Sequence, residues 1–259
     1  MLFRSLPLYR LLGGPVRDVV PTKYSVSGLE PPRAAEIAAW AAEQGYRVMK
    51  VKVGIEPEAD VQRVRAVREA VGPDVELFVD ANCNLDLYHA TALAEMIKPY
   101  GIGFFEEPLT QNDVQQMAEL RRISGMPLAC GQNEGLLYRF RDLLLGKSVD
   151  YLQPNVAISG GITQCMKIAG LAAAFNVPME NGGAWPFHNM HLHAGLMNGG
   201  MVEHHYLAVE LSKALYKGLP APEAGWLTLP EAPGLGFEPN ADAIREIAKL
   251  PLSHGNAKG

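Results

Sequence analysis

Short apolar runs recur along the chain about every 25 residues, separated by longer stretches whose apolar positions fall three and four residues apart. The first pattern is that of buried strands, the second that of helices covering them. Strands are predicted near residues 24–27 and at 47–53, 76–80, 102–106, 127–131, 151–152, 177–179 and 201–206. Helices are predicted at 31–44, 59–71, 86–97, 113–123, 137–145, from Gly160-Gly161-Ile162-Thr163 to Phe175, around 190–198 and at 241–249. The lead-in Glu56-Pro57-Glu58-Ala59-Asp60 places proline and acids where a helix starts well. Nearly all-apolar strands alternating with helices predict an α/β fold with a parallel sheet buried on both faces. Eight such units, with polar residues ending adjacent strands, favour a closed TIM-type (β/α) barrel over an open doubly wound sheet, which would gather its ligand at a switch point.

A chain of 259 residues, 48% hydrophobic, suffices for one large core. The net charge of -5 carries no basic stripe, so nucleic acid is not an expected partner. No run approaches the roughly 20 apolar residues that cross a bilayer, and Arg4 and Pro7 interrupt any signal-like stretch. Cys83, Cys130 and Cys165, odd in number and widely spaced, fit reduced thiols in a cytoplasmic protein. No Gly-x-Gly-x-x-Gly follows a strand, so a dinucleotide site lacks support.

The chemistry lies at the strand ends. Asp80 closes the third strand, Glu106 the fourth twenty-six residues later, and Gln132 follows the fifth after another twenty-six. Upstream, Lys50 and Lys52 are two apart and so share one face of the second strand. If these strands close into a barrel, oxygen ligands from three neighbours stand beside two lysines, a setting for a hard divalent cation next to a base. Burial and a like-charged neighbour both lower a lysine pKa. Solvated lysines at a strand end, and carboxylates acting as caps or ion-pair partners, are the plainer alternatives. Asn82 either orients substrate or serves the turn after its strand. Glu107, beside Pro108, points away from Glu106 and reads as structural.

Lys50-Val-Lys52, Asp80-Ala-Asn82, Phe104-Phe-Glu106-Glu107-Pro-Leu, Gly131-Gln132-Asn-Glu134, Asp150-Tyr-Leu-Gln-Pro-Asn155 with Gly160-Gly-Ile-Thr, and Pro233-Gly-Leu-Gly-Phe-Glu together resemble the barrel domain of the enolase superfamily, in its mandelate racemase and acid-sugar dehydratase branch. These motifs occur in order over nearly the whole chain. The resemblance implies a modified (β/α)7β barrel, one Mg²⁺, a small-molecule carboxylate substrate, a homo-oligomer, and abstraction of the proton α to a carboxylate through a Mg-stabilised enolate. It makes Asp80 and Glu106 metal ligands, Lys52 the base, Lys50 its partner, and Glu203 the residue that hydrogen-bonds the substrate carboxylate. It also divides the chain into a linker from a missing capping domain (1–21), the barrel (22–211) and a C-terminal extension packing on it (212–259).

The departures from the family matter equally. Gln132 stands where a third carboxylate is usual; its carbonyl can still ligate Mg²⁺, Glu134 is the fallback ligand, and a glutamate at 132 would be expected to tighten the site by one charge. The branch's His–Asp dyad is lost: its positions read Gly182 or Gly183, and Asn155, which is left as a substrate-binding candidate. His188 is the expected replacement acid, whereas His191 and His193 read as packing; zinc on His188 and His191 lacks a fourth ligand. The expected activity is a metal-dependent dehydratase of a sugar acid or related hydroxy acid. The alternatives are a racemase or epimerase of an α-substituted carboxylate and a barrel remnant without catalysis.

Overall fold

The structure is a computed structural model that describes residues 6–27 and 30–249. The first residues of the expected linker and residues 250–259 of the expected extension lie outside the described residues. Helix α1 (Leu8–Leu11) precedes β1 (Val19–Val26), α2 (Pro31–Glu43), β2 (Val48–Lys52), α3 (Pro57–Val71), β3 (Glu76–Asp80), α4 (Leu87–Ile97), β4 (Ile102–Glu106) and α5 (Val114–Ser124). Then follow β5 (Leu128–Cys130), α6 (Leu137–Leu145), β6 (Tyr151–Leu152), α7 (Gly161–Ala174), α8 (Pro186–Gly195), β7 (Val202–His204) and α9 (Tyr206–Leu215). The C-terminal part holds β8 (Tyr216–Lys217), β9 (Trp226–Thr228), β10 (Glu238–Pro239) and α10 (Ala241–Ala248).

The strands run parallel in the order β6-β5-β4-β3-β2-β1-β7. The ring closes through residues 178–181. Leu152 bridges Met179 in parallel, Glu180 N–H donates to the Leu152 carbonyl, and Asn181 N–H donates to the Met201 carbonyl beside β7. The eighth stave is therefore a segment too irregular to count as a strand. The result is the TIM-type barrel expected from the alternating pattern.

Local chemistry explains the element boundaries. Asp86 and Asp113 accept backbone N–H bonds in the first turns of α4 and α5. Gly125 ends α5 in the left-handed region at φ 64°. Two elements differ from expectation. β1 starts at Val19, ahead of the boundary expected at 22, because its first residues pair antiparallel with β9. That contact ties the C-terminal part directly to the barrel. Residues 206–215 form a helix, α9, where the strand expected at 201–206 ends at His204.

Most of the core lies between the strands and their helices. The barrel's interior is plugged by Phe78, Phe104 and Ala129, the two rings stacked 3.8 Å apart. Beside them a fully buried Lys23 pairs with Glu180 at 2.9 Å. This floor leaves the next layer up, at the C-terminal strand ends, for polar side chains.

Two histidines are held neutral by burial. His193 accepts the Gly200 N–H on Nδ1 at 3.0 Å, and desolvation, then Lys23 and Arg17, hold its pKa down to about 3. His204 packs between Tyr24 and Tyr46, and burial, then Lys213, lowers it to about 4. The unfolded chain protonates both near pH 6.5 while the folded one does not, so protonation favours unfolding as pH falls below that value. Urea unfolding between pH 6.5 and 5 should show stability falling by about 1.4 kcal/mol per pH unit for each such histidine. His193→Gln should flatten that slope; an unchanged slope would exclude His193 as its source.

Candidate active site

Adjacent parallel strands place the polar residues in register: Lys52 lies opposite Asp80, and Asp80 opposite Glu106. Because side chains alternate in a strand, Lys50, Lys52, Asp80 and Glu106 all face the barrel interior. The buried Lys50 ammonium lies 2.7 Å from Glu106 Oε1, 2.9 Å from Glu203 Oε1 and 3.1 Å from Asp80 Oδ2. Lys52, nearer the surface, donates to Asp80 and, at 2.7 Å, to Asn82 Oδ1. Residues from β2, β3, β4 and β7 thus meet at one mouth.

The ionisation of this cluster follows from burial set against opposite charge. Desolvation pulls Lys50 down, but Asp80, Glu106 and Glu203 together raise it well above the usual lysine range. Asp80 is held low by Lys50 and Lys52 against burial. Burial and the Asp80 charge push Glu106 up to about 8, with Lys50 opposing. Glu203 is driven far down, since Lys50, Lys52 and Lys23 and a hydrogen bond from Ser25 outweigh its desolvation. Backbone and amide donors complete the shell: Asn82 N–H to Asp80 Oδ1 at 2.9 Å, Gln153 Nε2 to Glu106 Oε2 at 2.8 Å, and Ala184 N–H to Glu203 Oε2 at 3.1 Å.

Gln132 is buried next to this layer. A Cβ placed on Gly182 would lie 3.1 Å from both Gln132 Oε1 and Glu106 Oε1, so these two oxygens are neighbours packed against the same glycine. Asp80 and Glu106 converge on the Lys50 ammonium. A donor set of two carboxylates and one amide carbonyl, all hard oxygens, suits Mg²⁺. Among the described residues, no set of three His, Cys, Asp or Glu side chains is placed to hold a metal, and the Gln132 carbonyl is the third oxygen the strand ends offer beside Asp80 and Glu106. Glu134, the fallback, is bound instead by Arg139 Nε at 3.0 Å and Asn112 Nδ2 at 3.1 Å.

Above the cluster opens a cleft of about 470 Å³ whose walls include Lys52, Asn82, Gln132, Trp185, Glu203 and His205. Asn82 stands in the cleft as expected. Asn155 does not: it is fully buried, and its Nδ2 donates to the carbonyls of Gly182 at 2.7 Å and of Gly183 and Ala184 at 3.1 Å. The amide braces this loop and presents nothing to a substrate. His188 is not among the lining residues either. Its ring packs edge-on against Tyr216 and Phe237, both at 5.2 Å, one turn into α8. The histidine that reaches the cleft is His205, the single residue between β7 and α9. Burial lowers its pKa, against the pull of Glu203. The rule that picked out Asp80 and Glu106, a polar residue at the end of an interior strand, applied here too; the strand had been expected to run past it.

Residues 33–243 match the enolase C-terminal domain-like family. The chain is 30% identical over 239 residues to the arabinonate dehydratase of Saccharolobus solfataricus, covering 89% of this chain and 64% of that one. It is 34% identical over 248 residues to the L-rhamnonate dehydratase of Saccharopolyspora erythraea, covering 92% of this chain and 63% of the relative. The crystal structure of the 3,6-anhydro-D-galactonate cycloisomerase from Zobellia galactanivorans superposes with a TM-score of 0.87 at 31% identity, over 93% of this chain and 70% of that one. The chain therefore spans less than two thirds of the length of those two dehydratases. With its barrel, its strand-end carboxylates and paired lysines, and this match, the protein belongs to the enolase C-terminal domain-like family.

Proposed function

We propose that this barrel carries the catalytic half of a sugar-acid dehydratase, with Lys52 removing the proton α to the substrate carboxylate. The observation that carries this reading is the meeting of Lys52 and Glu203, which line one cleft, with Asp80 and Glu106 buried directly behind them through shared ion pairs. Such a proton is too weakly acidic for a side-chain base unless the charge left on the carboxylate is stabilised. Asp80, Glu106 and the Gln132 carbonyl would hold Mg²⁺, which when bound supplies that stabilisation as a Lewis acid. Lys50 holds the surrounding carboxylates in place through three ion pairs. Glu203, clamped by Ser25 and the Ala184 N–H, faces the position where the substrate carboxylate would lie. Asn82 fixes the Lys52 amine through its side-chain carbonyl.

Elimination also needs a proton for the departing hydroxyl. His205 replaces His188 in this part of the reading, because it lines the cleft with Lys52 and Glu203 whereas His188 is packed among aromatic rings. The sugar-acid dehydratases among the relatives support the substrate class, and the family's shared site supports the Mg²⁺.

Three outcomes are expected. Incubation with a panel of sugar acids, Mg²⁺ and D₂O should yield 2-keto acid; Lys52→Ala should abolish solvent exchange of the α-proton yet keep the Mg²⁺-induced rise in Tm. Exchange retained in that variant would remove Lys52 as base, and exchange without any 2-keto acid from the parent chain would assign an epimerase instead. His205→Gln should slow 2-keto acid formation by about 10²-fold or more while leaving α-proton exchange running; equal losses in both would assign it a general structural effect. Lys50→Met should cost about 3–5 kcal/mol in metal-free unfolding, since three buried carboxylates lose their counter-charge, and saturating Mg²⁺ should restore part of it. An unchanged stability would mean that these ion pairs contribute nothing.

A further inference from the structure

Glu107, expected to be merely structural, has an unusual set of partners. It is fully buried and sits in the left-handed region at φ 40°, a conformation that a non-glycine residue adopts only when its surroundings hold it there. The Glu107 N–H donates to the Ala129 carbonyl at 2.9 Å, and its own carbonyl accepts the Cys83 N–H at 2.7 Å, so both sides of the turn are pinned. Its carboxylate forms no ion pair among the described residues. Instead Oε2 accepts from Gln132 Nε2 and Asn133 Nδ2, each at 2.8 Å, and Oε1 accepts from Asn112 Nδ2 at 3.1 Å.

Both Glu107 oxygens are taken up as acceptors of amide N–H groups, and Gln132 turns its NH₂ towards Glu107. An amide has one donor end and one acceptor end. With the donor end committed, Oε1 is turned to the opposite side, where it lies against Gly182 as Glu106 Oε1 does. We infer that Glu107 is a positioning residue that orients the Gln132 amide and turns its carbonyl towards the cation site. This rests on the metal reading proposed above and adds to it what holds the amide. A carboxylate at 132 in the same conformation would set two like-charged oxygens about one hydrogen-bond length apart, so one of them would have to move before the added charge could tighten the site.

The pair has a built-in test, because exchanging the two side-chain types restores the bond with its polarity reversed. Mn²⁺ binding followed by electron paramagnetic resonance should weaken about tenfold or more in Glu107→Gln, where the amide loses its fixed orientation, and should weaken or stay equal in Gln132→Glu. The double variant Glu107→Gln/Gln132→Glu should bind at least as tightly as the parent chain, so the two substitutions should not add. Tighter binding by Gln132→Glu alone, or unaltered binding by Glu107→Gln, would overturn the inference while leaving the metal site standing. A parent chain that binds no Mn²⁺ sinks the metal reading itself. The pairing is then judged from metal-free unfolding in EDTA, where Gln132→Glu should lower Tm and adding Glu107→Gln should recover it. Failure to recover overturns the pairing.

Discussion

Two ammonium groups facing three buried carboxylates govern the upper layer of this barrel. Lys50 occupies the centre, within ion-pair distance of Asp80, Glu106 and Glu203 at once, and each carboxylate comes from a different strand. A buried charge is tolerated only when opposed and hydrogen-bonded, so the strands cannot slip in register without stranding a charge. The one-residue steps that bring Lys52 opposite Asp80 and Asp80 opposite Glu106 are thus enforced electrostatically as well as by the hydrogen-bond ladder. The apolar floor of Phe78 and Phe104 keeps water away from this layer from below, which strengthens every interaction in it.

The loop at 182–184 shows how a pair of glycines shapes its neighbours. With glycine at 182 and 183, no side chain enters the space beside Gln132 and Glu106, and the backbone approaches both. Such a loop needs bracing. Asn155 supplies it with bonds to three successive carbonyls, and Asn189 holds Asn155 in turn at 3.1 Å. The Ala184 N–H then reaches Glu203. Asn155 and the glycine loop together form a scaffold that presents a backbone donor to the site.

What was legible in the sequence was what depends on period and spacing. Strand-end acids at intervals of twenty-six residues fixed Asp80 and Glu106 to neighbouring strands, and two-residue spacing put Lys50 and Lys52 on one face. Helices with their own boundary signals, such as the Asp-capped α4 and α5, fell where their residues pointed. Two of the failures share a physical cause: they turn on contacts distant in the chain. β1 starts early because β9 pairs with it two hundred residues later, and His188 looked free because Tyr216 and Phe237, which enclose it, lie far downstream. His205 was overlooked because strand and helix abut there with one residue between them. Gln132 was read by charge alone, whereas its meaning depends on which side chain faces its amide.

The same charge count bears on why an amide is suited to position 132. With Glu106 ionised, as a bound cation would hold it, Lys50 and Lys52 against Asp80, Glu106 and Glu203 leave the layer one negative charge in excess. A divalent cation would turn that into one positive charge, which a substrate carboxylate would cancel. A third acidic ligand would bring the cation-bound layer to neutrality before any substrate entered, and the arriving carboxylate would then be the unbalanced charge in the site. Gln132 provides an oxygen without that charge, and Glu107 keeps the oxygen pointed inward. An amide in place of an acid is therefore compatible with an intact anion site, and its presence alone does not mark the barrel as a remnant.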